Sequence, residues 1–163
     1  PAVVFHLIRT AHMSVDELDT LFNKRSGMMG LTGFGDLREV HRLVEEGNED
    51  AKLALDIYVH RIVGYIGNYT AQMGGVDVIT FTAGVGENDD VVRKMVCDKL
   101  APFGVKLDEE KNATRSKEPR IISTPDSAVT ICVIPTNEEL AIARKSAAIA
   151  EEGKDSYGNV FSK

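Results

Sequence analysis

Gly84, Gly86, Glu87 and Asn88 stand directly behind an apolar, β-branched run, Val78-Ile79-Thr80-Phe81-Thr82-Ala83. Such a run reads as a buried strand, expected over Val76 to Ala83, and a helix-period segment follows from Val91 to Leu100. Glycines at a strand-to-helix junction remove Cβ atoms, so backbone can come close to a flat or charged ligand. The free N–H groups of the next helix can face an anion. Together these features describe a candidate nucleotide site at the carboxyl end of a strand. The spacing is not the dinucleotide fingerprint, because Asp89 stands where its third glycine belongs, and no Gly-x-x-x-x-Gly-Lys-Ser/Thr loop occurs. The acids at the helix start already occupy its positive end, which argues against capture of a bare phosphate. The competing reading is a tight strand-to-helix turn with Asn88 as N-cap.

A second strand-to-helix unit raises a second candidate. Val129 to Ile134 reads as a buried strand closed by Pro135. Thr136 then reads as an N-cap with Glu139 in the capping-box position, opening a helix to about Ala150. Glu138 has no such structural task. A carboxylate at a strand end beside a nucleotide loop suits an outer Mg²⁺ ligand, often through water. Its alternative role is to complement the helix dipole. Two successive units of this kind predict an α/β arrangement with both loops at one sheet edge. The histidines, His6, His12, His41 and His60, sit in no catalytic pattern, and a lone helical histidine is structural or solvated far more often than it is a general base.

The other elements that must position these residues are mostly helical. Val3, Val4, Leu7 and Ile8 give an apolar helix face that ends near His12, with Pro1 at its first position. Ser14 and Glu17 form a capping box before a second helix. Four glycines between Ser26 and Gly35 predict a packed apolar loop rather than a helix. Asp36 starts a helix that Gly47 ends. Asn48 caps a helix of roughly 25 residues, at 1.5 Å rise per residue, which Gly74 and Gly75 stop. Its broadly apolar circumference predicts cover by other elements. Lys106 to Glu118 is charged and reads as a surface loop, and Arg120 to Ser123 as a short edge strand. One domain is expected over residues 1–150, followed by a loose tail over 151–163.

Bulk properties narrow the classes. At 163 residues with a net charge of −6, the chain can hold a real core and gives no reason to expect nucleic acid. No stretch suits a bilayer span, and no secretory leader is visible, so no membrane is expected. Cys97 and Cys132 are expected as reduced thiols, which fits a cytoplasmic location. The first residue is Pro1, not Met, so either an initiator was removed or the chain is a piece of something longer.

Five segments in order resemble the acetokinase family, within the sugar-kinase, heat-shock-protein and actin superfamily. They are Asn23 to Gly33, Asp36 to Arg38, Glu46 to Asp56, Thr82 to Asn88, and Val133 to Leu140. The resemblance covers nearly all of the chain except the tail. It implies the C-terminal portion of an actin-like ATPase (ribonuclease H-like) domain, α/β and helix-rich with a small partial sheet. It implies phosphoryl transfer between ATP and acetate, giving ADP and acetyl phosphate, with ATP/ADP and Mg²⁺ as cofactors. By the same resemblance, Asp36, Leu37 and Arg38 lie against the adenine. Gly84, Val85, Gly86, Glu87 and Asn88 form a nucleotide loop, and Glu138 is associated with Mg²⁺. The family's acetate pocket and its catalytic residues belong to an amino-terminal portion whose motifs are absent here, so no catalytic residue is expected in this chain and the isolated piece is expected to be inactive. A homodimer is expected, with the Asn48 to Met73 helix near the contact. The alternatives are a non-catalytic nucleotide-binding or dimerisation module, or a propionate or butyrate kinase.

Overall fold

Helix signals and tight glycine stops dominate the first half of the chain, and strands enter only after Gly75. The structure, a computed structural model, describes residues 2–152. It divides into two compact units, Pro1–Gly75 and Val76–Lys163.

The first unit is helical. α1 (Ala2–Thr10) stops short of His12, which adopts a left-handed φ of 53°. α2 (Val15–Lys24) carries the expected capping box: the Glu17 N–H donates to Ser14 Oγ and the Ser14 N–H to Glu17 Oε2. α3 (Gly27–Thr32) corrects the loop expectation, because these glycine-rich residues form a short helix. Propensity alone would not hold it; packing against α5 (Glu49–Met73) does. Gly30 is needed there for space, since a Cβ would lie 2.8 Å from the Arg25 carbonyl oxygen. α4 (Leu37–Glu45) also packs on α5. Asp36 caps α4 by accepting from the Arg38 N–H at 2.9 Å, and Asn48 caps α5 by accepting from the Ala51 N–H.

The core of this unit gathers Leu18, Val40, Ala51, Ala54, Leu55 and Val59. The expectation that α5 is covered around its circumference fails. Its buried apolar residues all lie between Ala51 and Val59, while Tyr65, Tyr69 and Met73 are exposed. Tyr65 and Tyr69 stack along that open face, with Arg61 over the Tyr65 ring.

The second unit holds the sheet. β1 (Val78–Phe81) and β3 (Thr130–Val133) pair in parallel, with Val78 opposite Thr130 and Phe81 opposite Val133. β2 (Arg120–Ile121) adds antiparallel to β3, so β3 is central in the order β1-β3-β2. All three strands are shorter than their apolar runs. The α/β expectation holds, with many helices and a small sheet. Because Phe81 and Val133 are register partners in parallel strands, the chain leaves both at the same sheet edge.

Burial follows position in the sheet. Ile131 and Val133 of the central strand are fully buried, and Ile122, Val129 and Val105 close around them. α7 (Asp90–Lys99) contributes Val92, Val96 and Cys97 to this core. Burial pushes the Cys97 thiol up to about 11, so it is an inert core thiol rather than a nucleophile. Both cysteines are free. The stretch read as a charged surface loop contains a short helix, α8 (Glu109–Ala113), capped by Asp108, and its Asn112 is buried. Alternation and charge gave no hint of that burial. α9 (Glu138–Glu152) is the last described element; the rest of the tail expected over 151–163 lies outside the described residues.

Candidate functional site

The glycine-rich segment after β1 is itself a short helix, α6 (Ala83–Asn88), rather than a bare turn. This corrects the N-cap expectation. The cap of α7 is Asp89, whose Oδ1 accepts from the Val92 N–H at 2.9 Å. Asn88 ends α6 instead, and its Nδ2 donates to the Gly84 carbonyl. Ala83 opens α6 at a φ of 59°, a left-handed conformation that a Cβ makes unfavourable. Strain of this kind persists where surrounding structure over-determines it, and it clusters at functional sites.

The two glycines of α6 differ physically. A Cβ on Gly86 would lie 3.1 Å from the Phe81 carbonyl carbon, so Gly86 is needed for the helix to turn back on its own strand. A Cβ on Gly84 would meet nothing within 4 Å. Its φ is ordinary, so neither conformation nor internal packing demands a glycine there. The open surface at Gly84 is a place where an outside group could approach backbone closely.

Glu87 joins the two sheet-edge loops. Its Oε1 accepts from the Thr136 N–H at 2.8 Å and from the Thr136 hydroxyl at 3.0 Å. The Thr136 N–H is the main reason the Glu87 carboxyl lies below its ordinary range; the hydroxyl and the Ala83 N–H add to it. Thr136 is therefore not the N-cap of α9. Asn137 takes that place, its Oδ1 accepting from the Leu140 N–H at 2.9 Å. With the cap moved one residue on, Glu139 loses its expected capping-box partner. Glu138 and Glu139 both occupy the first turn of α9.

A cavity of about 620 Å³ opens here, lined by Glu87 and Asn88, by Pro135, Thr136 and Asn137, and by residues 116–119. Its size falls in the range of small-molecule sites. The third wall, Ser116 to Pro119, was not legible as part of a site.

Beneath the loop lies Arg93, only 2% exposed. Its Nη1 donates to the carbonyls of Gly86 and Glu87, both at 3.0 Å, and its Nε and Nη2 reach Oδ1 and the carbonyl of Asn112, both at 2.7 Å. A signal for it existed. Arg93 stands beside Val92 and shares the helical face of Val96, Cys97 and Leu100, so a charge was written into an inward face.

Asp36, Leu37 and Arg38 belong to the first unit, at the start of α4. Asp36 is committed locally: besides capping, its carboxylate pairs with the Arg38 guanidinium, and that pairing holds its carboxyl at about 2. The Arg38 side chain remains largely exposed. Among the described residues no cluster of three His, Cys, Asp or Glu side chains could cage a metal, and no helix is long and apolar enough to cross a membrane.

A sequence model of the Acetokinase family matches residues 1–144. The chain belongs to the acetokinase family. It is 56% identical over 146 residues to an acetate kinase of Leifsonia xyli, covering 90% of this chain and 37% of that relative. Among solved structures it resembles an acetate kinase of Porphyromonas gingivalis, with a TM-score of 0.82 and 40% identity over 92% of this chain and 38% of that one. It also resembles a propionate kinase of Francisella tularensis, with a TM-score of 0.79 and 37% identity over 88% of this chain and 36% of that one. This acetokinase chain thus spans a little over a third of the length of these relatives.

Proposed function

We propose that this acetokinase chain supplies the nucleotide side of an enzyme that transfers phosphoryl between ATP and acetate, giving ADP and acetyl phosphate. The observation that carries the reading is the joined pair of sheet-edge loops around the cavity, Glu87 and Asn88 on one side and Thr136 and Asn137 on the other. In parallel α/β sheets, ligands sit at the carboxyl ends of strands. Gly84, with open space where a Cβ would be, fits close approach of a nucleotide to the α6 backbone.

The residues named for the nucleotide are Gly84, Val85, Gly86, Glu87 and Asn88, with Asp36, Leu37 and Arg38 for the adenine. They would not contribute alike. Gly86 and the Glu87 carboxylate are occupied in building the loop, so contact with ligand falls to Gly84, Val85 and Asn88. Asp36 orients Arg38, whose exposed guanidinium is free to lie along a base.

Glu138 fits Mg²⁺ in one limited sense. Mg²⁺ in phosphoryl-transfer sites is commonly held by one or two carboxylates, waters and the substrate phosphates rather than by an all-protein cage. When bound, the metal neutralises charge on the phosphates. Glu138, at the exposed start of α9 and next to cavity residue Asn137, would orient a water of its shell.

The acceptor is proposed to be bound by the part of the family that this chain does not span. The comparable likeness to a propionate kinase supports a second reading in which the acceptor is propionate. Members of such a family meet as homodimers in our reading, with the open Tyr65, Tyr69 and Met73 face of α5 at the contact. Light scattering over a dilution series tests this: a concentration-dependent dimer is expected, and a monomer at every concentration contradicts it.

The deciding experiment on function is Gly84→Val in a protein extended to the length of its relatives. The KM for ATP should rise far more than that for acetate. Equal effects on both substrates, or none, would contradict the assignment.

A further inference from the structure

Glu87 and Thr136 account for two walls of the cavity. The third, residues 116–119, follows shortly after Asn112, and Asn112 is held by a separate device that the proposed function does not use. Arg93 grips the Gly86 and Glu87 carbonyls with one nitrogen and both acceptors of Asn112 with the other two. Asn112 in turn donates from Nδ2 to the Asp90 carbonyl at 2.9 Å. From Asn112 the chain runs within a few residues into Ser116 to Pro119, where the Ser116 carbonyl accepts from Arg120 Nη1 at 3.2 Å. Arg93 and Asn112 together therefore link the glycine helix, the start of α7 and the segment leading to the far wall.

We propose that Arg93 and Asn112 are positioning residues that tie the glycine loop to the 116–119 wall and so set the spacing across the nucleotide cavity. The proposal rests on the nucleotide reading of that cavity.

The energetics favour this over mere core filling. A buried guanidinium carries a desolvation cost to which the charge of Arg120 adds, with Asp90 and Asp89 offsetting part of it. An apolar side chain of similar volume would avoid both costs. Only a planar fork of donors reaches acceptors in both segments at once. Asn112 is 4% exposed, and both ends of its amide are used. A leucine there would leave the Arg93 Nε without its acceptor.

The test uses this chain, ¹⁵N-labelled, as wild type and as Asn112→Ala, Asn112→Asp and Arg93→Lys. In Asn112→Ala the amide resonances of Gly86 and Glu87 and those of Ser116 and Lys117 should move together, while those of α5 stay. The Kd for Mg–ADP should rise about tenfold, the scale expected for a binding surface displaced by a fraction of an ångström. Asn112→Asp keeps an oxygen for Arg93 Nε and should recover most of that loss. Should Asn112→Ala fail to fold, Arg93→Lys provides the same comparison, because a lysine can serve only one of the two segments. Amide changes confined to α8, or an unchanged Kd with both walls displaced, would overturn the proposal. If wild type binds no Mg–ADP, the nucleotide reading falls, and joint movement of the two walls then upholds or refutes the tie by itself.

Discussion

One carboxylate oxygen of Glu87 accepts two hydrogen bonds from Thr136, 49 residues further along the chain. The contact makes a single rim out of two loops that leave the sheet at adjacent strands. Glu87→Gln keeps a carbonyl acceptor and should be mild. Glu87→Ala should free the segment between Val133 and Glu138. Amide hydrogen exchange at Thr136 measures this: clear acceleration is expected in the alanine variant and little in the glutamine variant. Equal rates in both would mean the contact does not hold the rim.

Gly84 and Gly86 should separate stability from binding. Gly86→Ala forces a Cβ against the Phe81 backbone and should cost about 1–3 kcal/mol, the range for overpacking. Gly84→Ala places a Cβ in open space and should be neutral or stabilise by up to about 1 kcal/mol, because alanine outranks glycine in a helix. Urea titration of both variants checks the contrast, and a destabilising Gly84→Ala would remove the argument that its glycine serves a ligand.

The sequence was informative wherever a local rule decided structure. The Ser14–Glu17 capping box, the Asp36 and Asn48 caps and the Gly74 stop all stand where spacing put them. It was misleading where a distant partner competed. Thr136 looks like an N-cap until Glu87 takes its N–H and hydroxyl, and Asn137 then caps α9. Four glycines spoke against α3, but packing on α5 holds it. Asn112 was hidden in a charged stretch because nothing local marks the partner of a buried arginine 19 residues earlier.

Asn137→Ala should fray the first turn of α9, since it removes the acceptor for the Leu140 N–H. The expected cost is about 1 kcal/mol. Glu139→Gln should cost less, because Glu139 has no capping role. Circular dichroism during thermal unfolding follows both, and the reverse ranking would restore Thr136 as the cap.

Asp36 predicts an acid limb to stability. Its carboxyl is lowered to about 2 by the Arg38 side chain and backbone N–H, against roughly 3.9 when unfolded. A depressed carboxyl stabilises the fold above its unfolded value, and that contribution is lost as pH falls through the folded one. Asp36→Asn should therefore flatten the fall in Tm between about pH 4 and 2 while changing little at pH 7 beyond the altered cap. The effect should be small, because the pair faces solvent. An acid limb unchanged by the substitution would show that the pairing does not persist in solution.

The most direct measurement of the account is a titration of the ¹⁵N-labelled chain with Mg–ADP, followed residue by residue. Saturable shifts are expected at Gly84, Val85, Asn88, Thr136 and Asn137, with affinity weaker than micromolar because the chain spans little over a third of its relatives' length. Glu138→Gln should reduce the Mg²⁺ dependence of those shifts. No shift in these residues at millimolar nucleotide, or saturable shifts confined to other parts of the chain, would contradict it.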